Sequence, residues 1–257
     1  MALNTKLGLT FTRPDSHVKL RLKNYVNLDA LPTPPAVFGH ESAVVTWKTL
    51  ANDTRSCCFW SGAAHEHMLW TAEHSQPADF ENAQVLADYA QATGYNPNDP
   101  DNTDNGTDMI DGAKYRQQIG VLDSAGKRHK IDSYVALTPG DITELMVATW
   151  LFSAVGVGIR FPKSADDQFS EGIPWDVVPD SPIIGAHYIP VLGRSSKAFP
   201  LLVTWGRLHA MTPAMYKVYN MTTLGYISHE MVDAKGLTPE QFNLDQLIAD
   251  QKRLQSN

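Results

Sequence analysis

Residues 52–72 read NDTRSCCFWSGAAHEHMLWTA, and the fold turns on how this stretch is parsed. From Cys58 onward the pattern is helical, with Cys58, Gly62, His65 and Leu69 on one face. Before it, the polar run Asn52-Asp53-Thr54-Arg55-Ser56 reads as a loop. Cys58 therefore opens a helix, where free backbone N–H groups and the helix dipole favour a thiolate over a thiol. Small residues follow (Ser61, Gly62, Ala63, Ala64), and they let another segment pack close. A nucleophilic cysteine also needs a base, usually a histidine far along the chain.

Nine histidines are available. His187 stands out because it lies near the start of an apolar strand, Ile183-Ile184-Gly185-Ala186-His187-Tyr188-Ile189-Pro190-Val191-Leu192-Gly193. A polar ring there can face a cleft while the strand is buried, or it can be a core histidine satisfied by hydrogen bonds.

Working outward, residues 79–93 form a second helix that stops at Gly94, and residues 107–118 form a third that stops at Gly120. Residues 96–108, rich in Asn, Asp and Pro, read as a loop. Asp141 with Glu144 three residues on is a capping-box-like start for a helix to about Ala154. Strand patterns follow at 129–137, 155–161, 187–192, 200–205 and 225–231, with a short helix at 212–219. The chain thus reads as α+β: an extended arm over residues 1–40, a domain over 41–240 with a helical lobe at about 41–125 and a β lobe at about 126–240, and a C-terminal segment, 241–257, with an amphipathic helix at 243–254.

Composition excludes several classes. In 257 residues the only cysteines are the neighbours Cys57 and Cys58, so no disulfide framework is expected. The first residues lack an apolar signal core, and no apolar run approaches the roughly 20 residues that span a bilayer, so a cytoplasmic, membrane-free protein is expected. Residues 56–113 carry ten acids and no Lys or Arg, a formal charge of −10 against +3 for the rest of the chain. That block argues against docking on nucleic acid and reads mainly as a solvated acidic face.

Taken in order, these features resemble the papain-like cysteine peptidases. The chain has a cysteine at a helix start, an amide side chain six residues before it (Asn52), and a late Gly-x-His (Gly185-Ala186-His187) leading a hydrophobic strand. Val203-Thr204-Trp205-Gly206 stands where those enzymes carry Asn-Ser-Trp-Gly. The motifs Asn52-Asp53-Thr54, Trp70-Thr71-Ala72, Gly94-Tyr95-Asn96-Pro97, Lys130-Ile131-Asp132 and Met211-Thr212 are similar to a group of uncharacterised phage and prophage papain-like proteins. The resemblance spans roughly residues 30–245.

It implies a two-lobed papain-like fold, a helical lobe packed on a β-rich, barrel-like lobe. It further implies Cys58 as nucleophile, His187 as base and Asn52 as oxyanion donor. The place of the orienting asparagine falls to Val203, which has no polar side chain. Thr204 beside it is the remaining candidate, although strand alternation turns it to the opposite face. The implied role is a phage virion component, structural or tail-associated, with a weak or degenerate peptidase site; its partners would be other virion proteins or copies of itself. The alternative is an active peptidase or amidase cutting peptide or cell-wall peptide bonds through the Cys–His pair. No cofactor or metal is expected: Cys57, Cys58, His65 and His67 lack zinc-site spacing. The loop Asp99–Gly106, read from Asp101 as a calcium loop, has Gly112 where a carboxylate is required.

Overall fold

Helix α1 (Cys58–Glu73) has no solvent face. Every residue from Cys58 to Thr71 is buried, including His65, Glu66 and His67. In a helix surrounded on all sides an apolar stripe cannot mark the buried face, so the polar residues inside it must find partners. The computed structural model describes residues 6–10, 21–24, 33–241 and 243. The expected helix at 243–254 lies outside them except for Asn243, as does much of the arm.

Around α1 stand α2 (Asn82–Thr93), α3 (Pro100–Thr103) and α4 (Met109–Gln118). α2 ends at Gly94, which takes the left-handed conformation at φ +80°. α3 is one helical turn inside a stretch expected to be loop; it begins with a proline, which loses no helical hydrogen bond at that position. The Asp108 side chain caps α4 by accepting from the N–H groups of Ile110 and Asp111. Beyond the two-stranded hairpin β2 (Val121–Leu122) and β3 (Arg128–His129) the chain enters the main sheet. The single strand expected over 129–137 is thus divided, and only β4 (Ser133–Ala136) joins that sheet.

The sheet is antiparallel, in the order β4, β9 (Asn220–Ile227), β5 (Val155–Pro162), β6 (Ile183–Arg194), β7 (Pro200–Thr204) and β8 (Arg207–Ala210), with β1 (Phe38–Gly39) paired to the far end of β6. Among the described residues β4 and β8 remain its two edges, so the sheet does not close and the barrel-like expectation is corrected to an open sheet. Three helices flank it. For α5 (Ile142–Phe152), Asp141 accepts from the N–H groups of Thr143 and Glu144, while the Glu144 carboxylate accepts from Thr138 N–H; the expected box is half formed. α6 (Lys163–Glu171) was not anticipated, because only Ala165 and Phe169 of its nine residues are buried. α7 is Pro213–Tyr219.

Contact between α1 and the sheet depends on Gly62. A Cβ there would lie 2.5 Å from the Tyr188 ring, so only glycine lets the helix rest directly on β6.

Half of the acidic block is the solvated face expected: Asp79, Glu81, Asp99, Asp101 and Asp111 are exposed, with Asp79 and Glu81 both pairing with Lys48 at 2.5 and 2.6 Å. Other acids of the block are turned inward. Asp88 is buried against Arg128 and the Tyr115 hydroxyl, and Asp104 accepts from Ser56 N–H and Tyr89 O–H. Glu66 meets Arg116 at 2.7 Å with both side chains fully buried, and the guanidinium also lies 4.0 Å from the centre of the Tyr226 ring.

Candidate active site

Cys58 is the first residue of α1. The loop before it reverses direction at Leu50 and Ala51, both in the left-handed region (φ 55° and 63°). The Leu50 carbonyl accepts the Ser61 hydroxyl at 2.8 Å, which ties this reversal to the first turn of α1. Asn52 is thereby held almost fully buried, with Oδ1 lacking a hydrogen-bond partner among the described residues.

His187 lies on β6 opposite Ile159 of β5 and is fully buried. Its Nε2 is 2.7 Å from Thr204 Oγ1, and its Nδ1 makes no hydrogen bond. Thr204 was expected to face away; the register shows why it does not. Val191 of β6 pairs with Leu202 of β7, so the two share a face, and alternation carries His187 and Thr204 to that same face. Val203 is the residue turned away. Trp205 then stacks flat on the imidazole, centroids 4.3 Å apart and planes 7° from parallel, and covers the bond. Trp205 (φ 44°) and Gly206 (φ 78°) form a two-residue turn of left-handed residues between β7 and β8, which fixes the indole at that place. In the tautomer that donates Nε2–H to Thr204, the lone pair on Nδ1 is the one available as a base.

Residues 6–10 lie across this pair. Leu9 N–H donates to the carbonyl of Ala186, the residue before His187, at 3.1 Å. On the other side Thr107 N–H donates to the Gly8 carbonyl at 2.8 Å, and Thr10 N–H to the Thr107 carbonyl at 3.1 Å. Gly8 passes so close to Ser56 that a Cβ would lie 2.0 Å from its carbonyl oxygen. Leu7 packs on Gly185, and Trp205 Nε1–H reaches the Lys6 carbonyl at 3.3 Å. The segment forms one isolated bridge, Leu9 with Thr107, and spans from Ser56, just before α1, to Ala186 of β6.

Burial sets the electrostatics of both groups. The Cys58 thiol is pushed up to about 12 by loss of water, against the pull of the backbone N–H groups of Tyr188, Gly8 and Phe59. Loss of water lowers His187 to about 3. At neutral pH the pair is therefore a thiol and a neutral imidazole.

No family model matches this chain, and no curated protein does. Solved structures do. Xylellain, a cysteine protease from Xylella fastidiosa, superposes with a TM-score of 0.61 at 13% identity, over 89% of this chain and 98% of that one. Procathepsin B from Trypanosoma congolense gives 0.60 at 10% identity, over 86% and 87%. Digestive procathepsin L2 from Tenebrio molitor gives 0.59 at 14%, over 87% and 78%. The chain has the papain-like fold. Identities this low carry the fold alone. None of the three is a phage protein, so the particle role read from the sequence finds no support in them.

Within the papain-like chain the other candidate sets come apart. His65 Nε2 bonds the Lys48 carbonyl at 2.7 Å and His67 Nδ1 meets Glu230 at 2.8 Å, so neither converges with the cysteines, both of which are free thiols. In the Asp99–Gly106 stretch, Asp99 binds the Asn102 amide and Asp104 is taken by Ser56 and Tyr89. Sequence reasoning singled out Cys58 and His187 but missed residues 6–10, whose Gly8 and Leu9 reach the Cys58 thiol and the Ala186 carbonyl. Gly8 in an irregular arm carries no sequence signal of its own, whereas Trp205 stood within a quoted motif without a role. No helix among the described residues is long and apolar enough to cross a membrane.

Proposed function

We propose that this papain-like chain is a thiol hydrolase acting on peptide bonds, held latent by its own residues 6–10. The observation that carries the reading is the His187–Thr204 bond under Trp205, which leaves His187 Nδ1 without a hydrogen bond one residue before Tyr188, whose backbone N–H acts on the Cys58 thiol. A histidine used only for packing has no need of one anchored nitrogen and one bare one; a base does.

In the working enzyme Cys58 Sγ gives its proton to His187 Nδ1, and the thiolate forms a bond to the substrate carbonyl carbon. The Asn52 amide and the Cys58 backbone N–H receive the developing oxyanion. Collapse expels the amine, which takes the proton from His187, and water then cleaves the thioester with His187 again as base. An extended peptide would take the place of residues 6–10 and bond the Ala186 carbonyl as Leu9 N–H does. The test is labelling by a thiol-directed epoxide, with intact protein beside protein lacking residues 1–10. Labelling confined to the shortened form and abolished by Cys58→Ser supports the reading; a shortened, folded protein that neither labels nor cleaves a peptide library overturns it.

The filled groove also favours a second reading, a papain-like scaffold without turnover, for which the phage-like sequence motifs supply the setting. Mass spectrometry of purified particles tests it, and absence from them removes it.

A further inference from the structure

Far from the groove, the second half of α1, the β2–β3 hairpin and the 3-10 turn His229–Met231 bring three potential ligands together. His67 Nδ1 is 2.8 Å from Glu230 Oε2, and His129 Nδ1 is 2.7 Å from Glu230 Oε1. The three donor atoms lie within 4.8 Å of one another. Both imidazoles are buried, and each turns Nδ1 to the same carboxylate.

We propose that His67, His129 and Glu230 bind a divalent transition-metal ion of the zinc class, with Asp123 as the outer partner of His129. The donor chemistry is that of such ions, two imidazole nitrogens and one carboxylate. The second observation is the outer shell. His129 Nε2 lies 3.1 Å from Asp123 Oδ2, and Asp123 is itself fixed by Lys127 N–H donating to its other oxygen at 2.7 Å. A carboxylate behind a ligand histidine fixes ring plane and tautomer. His67 is held by edge-on packing on Trp70, at 4.9 Å and 86°.

The cluster also has an entry path. Glu230 lines a cavity of about 470 Å³ with Thr71, Lys127 and His229, leaving a side from which an ion and a water could arrive. Lys127 Nζ lies 3.2 Å from Glu230 Oε1, but its side chain is 63% exposed and can swing clear. A bound ion would join α1 to the hairpin and to the turn after β9, so its first effect is on stability. The proposal does not rest on the peptidase reading, since none of these residues borders Cys58.

The experiment uses the full chain, stripped with a chelator and titrated with Zn²⁺ and Co²⁺. Expected are one ion per chain, a melting temperature that rises with the logarithm of free Zn²⁺, and a Co²⁺ absorption of the intense low-coordination type. Glu230→Gln should abolish the Co²⁺ signal. Asp123→Asn should keep one site but weaken it about 10- to 100-fold, as loss of an outer partner does. His40→Asn, on a histidine outside the cluster, should leave the stoichiometry and the Co²⁺ signal unchanged. No stoichiometric binding by a chain whose circular dichroism is intact, or binding that Glu230→Gln and Asp123→Asn both leave unaltered, overturns the proposal. If the variants fail to fold, the wild-type stoichiometry and Co²⁺ spectrum decide alone.

Discussion

Thr204 Oγ1 sits 2.7 Å from His187 Nε2, placed there by the pairing of Val191 with Leu202 three strands into the sheet. A hydroxyl thus holds the imidazole from one residue beyond Val203, where the resemblance puts an amide.

Thr204→Val should cost stability and function by the same route. It leaves a buried ring nitrogen without a partner, a loss of about 1–3 kcal/mol. In protein lacking residues 1–10, thiol labelling should slow by roughly 10- to 100-fold, the same energy read as a rate. Thr204→Ser, which keeps the hydroxyl, should retain most of both. Urea midpoints and labelling rates measure the two effects, and an unchanged rate in the valine variant would remove Thr204 from the site.

Gly8→Val should open the groove, because there is no room for even one added carbon beside Ser56. With the segment displaced, water returns to Cys58 and its pKa falls; each unit raises the thiolate fraction about tenfold at pH 7. Iodoacetamide should modify Cys58 at least about tenfold faster than in the parent. Peptide mapping locates the adduct, and modification at Cys57 instead would count against the assignment. In the parent, with the thiol pushed up to about 12, the rate should climb through pH 7–9 without a plateau.

Acid should weaken the fold well above the carboxylate range. His65 is lowered to about 4 and His187 to about 3, both by burial. Unfolded rings take up protons near pH 6.5 while the folded ones do not, so their contribution is full above that pH and is lost as pH falls toward 4 and then 3. Each ring contributes on the order of 3–5 kcal/mol over that span. Glu73 acts in the opposite sense: burial raises it to about 7, so the folded state keeps a proton that the unfolded state has lost, and stability declines as pH rises from about 4.5 through 7. Urea midpoints at pH 5 and 8 should show Glu73→Gln stabilising at pH 8 only, and His187→Gln flattening the acid slope.

Arg116→Met should be among the most damaging single changes, by about 3–5 kcal/mol, because it leaves the Glu66 charge buried and alone. Adding Glu66→Gln should restore part of that loss. Thermal unfolding of both variants decides it, and additive losses would show that the two groups do not act as a pair.

Much of this was legible in the chain. Cys58 at a helix start, Gly94 as a helix stop and Asp141 as a cap are local signals, and local signals survive folding. The facing of Thr204 was not legible, because alternation gives two faces and only the partner strand's register says which is which. The meeting of His67 with His129 and Glu230 depends on three elements distant in sequence, and nothing at any one of them announces the others. α6 escaped notice because it buries only two side chains, too few to print a period.

Residues 6–10 also have a place in time. Leu9 is made early in synthesis and Ala186 late, and their hydrogen bond closes a loop of about 180 residues. The contacts of Gly8 with Ser56 and Thr107 close loops of only about 50 and 100 residues, and shorter loops close at lower entropic cost. On that count the segment settles first on the helical side, and β6, arriving last from synthesis, finds its cover already in place.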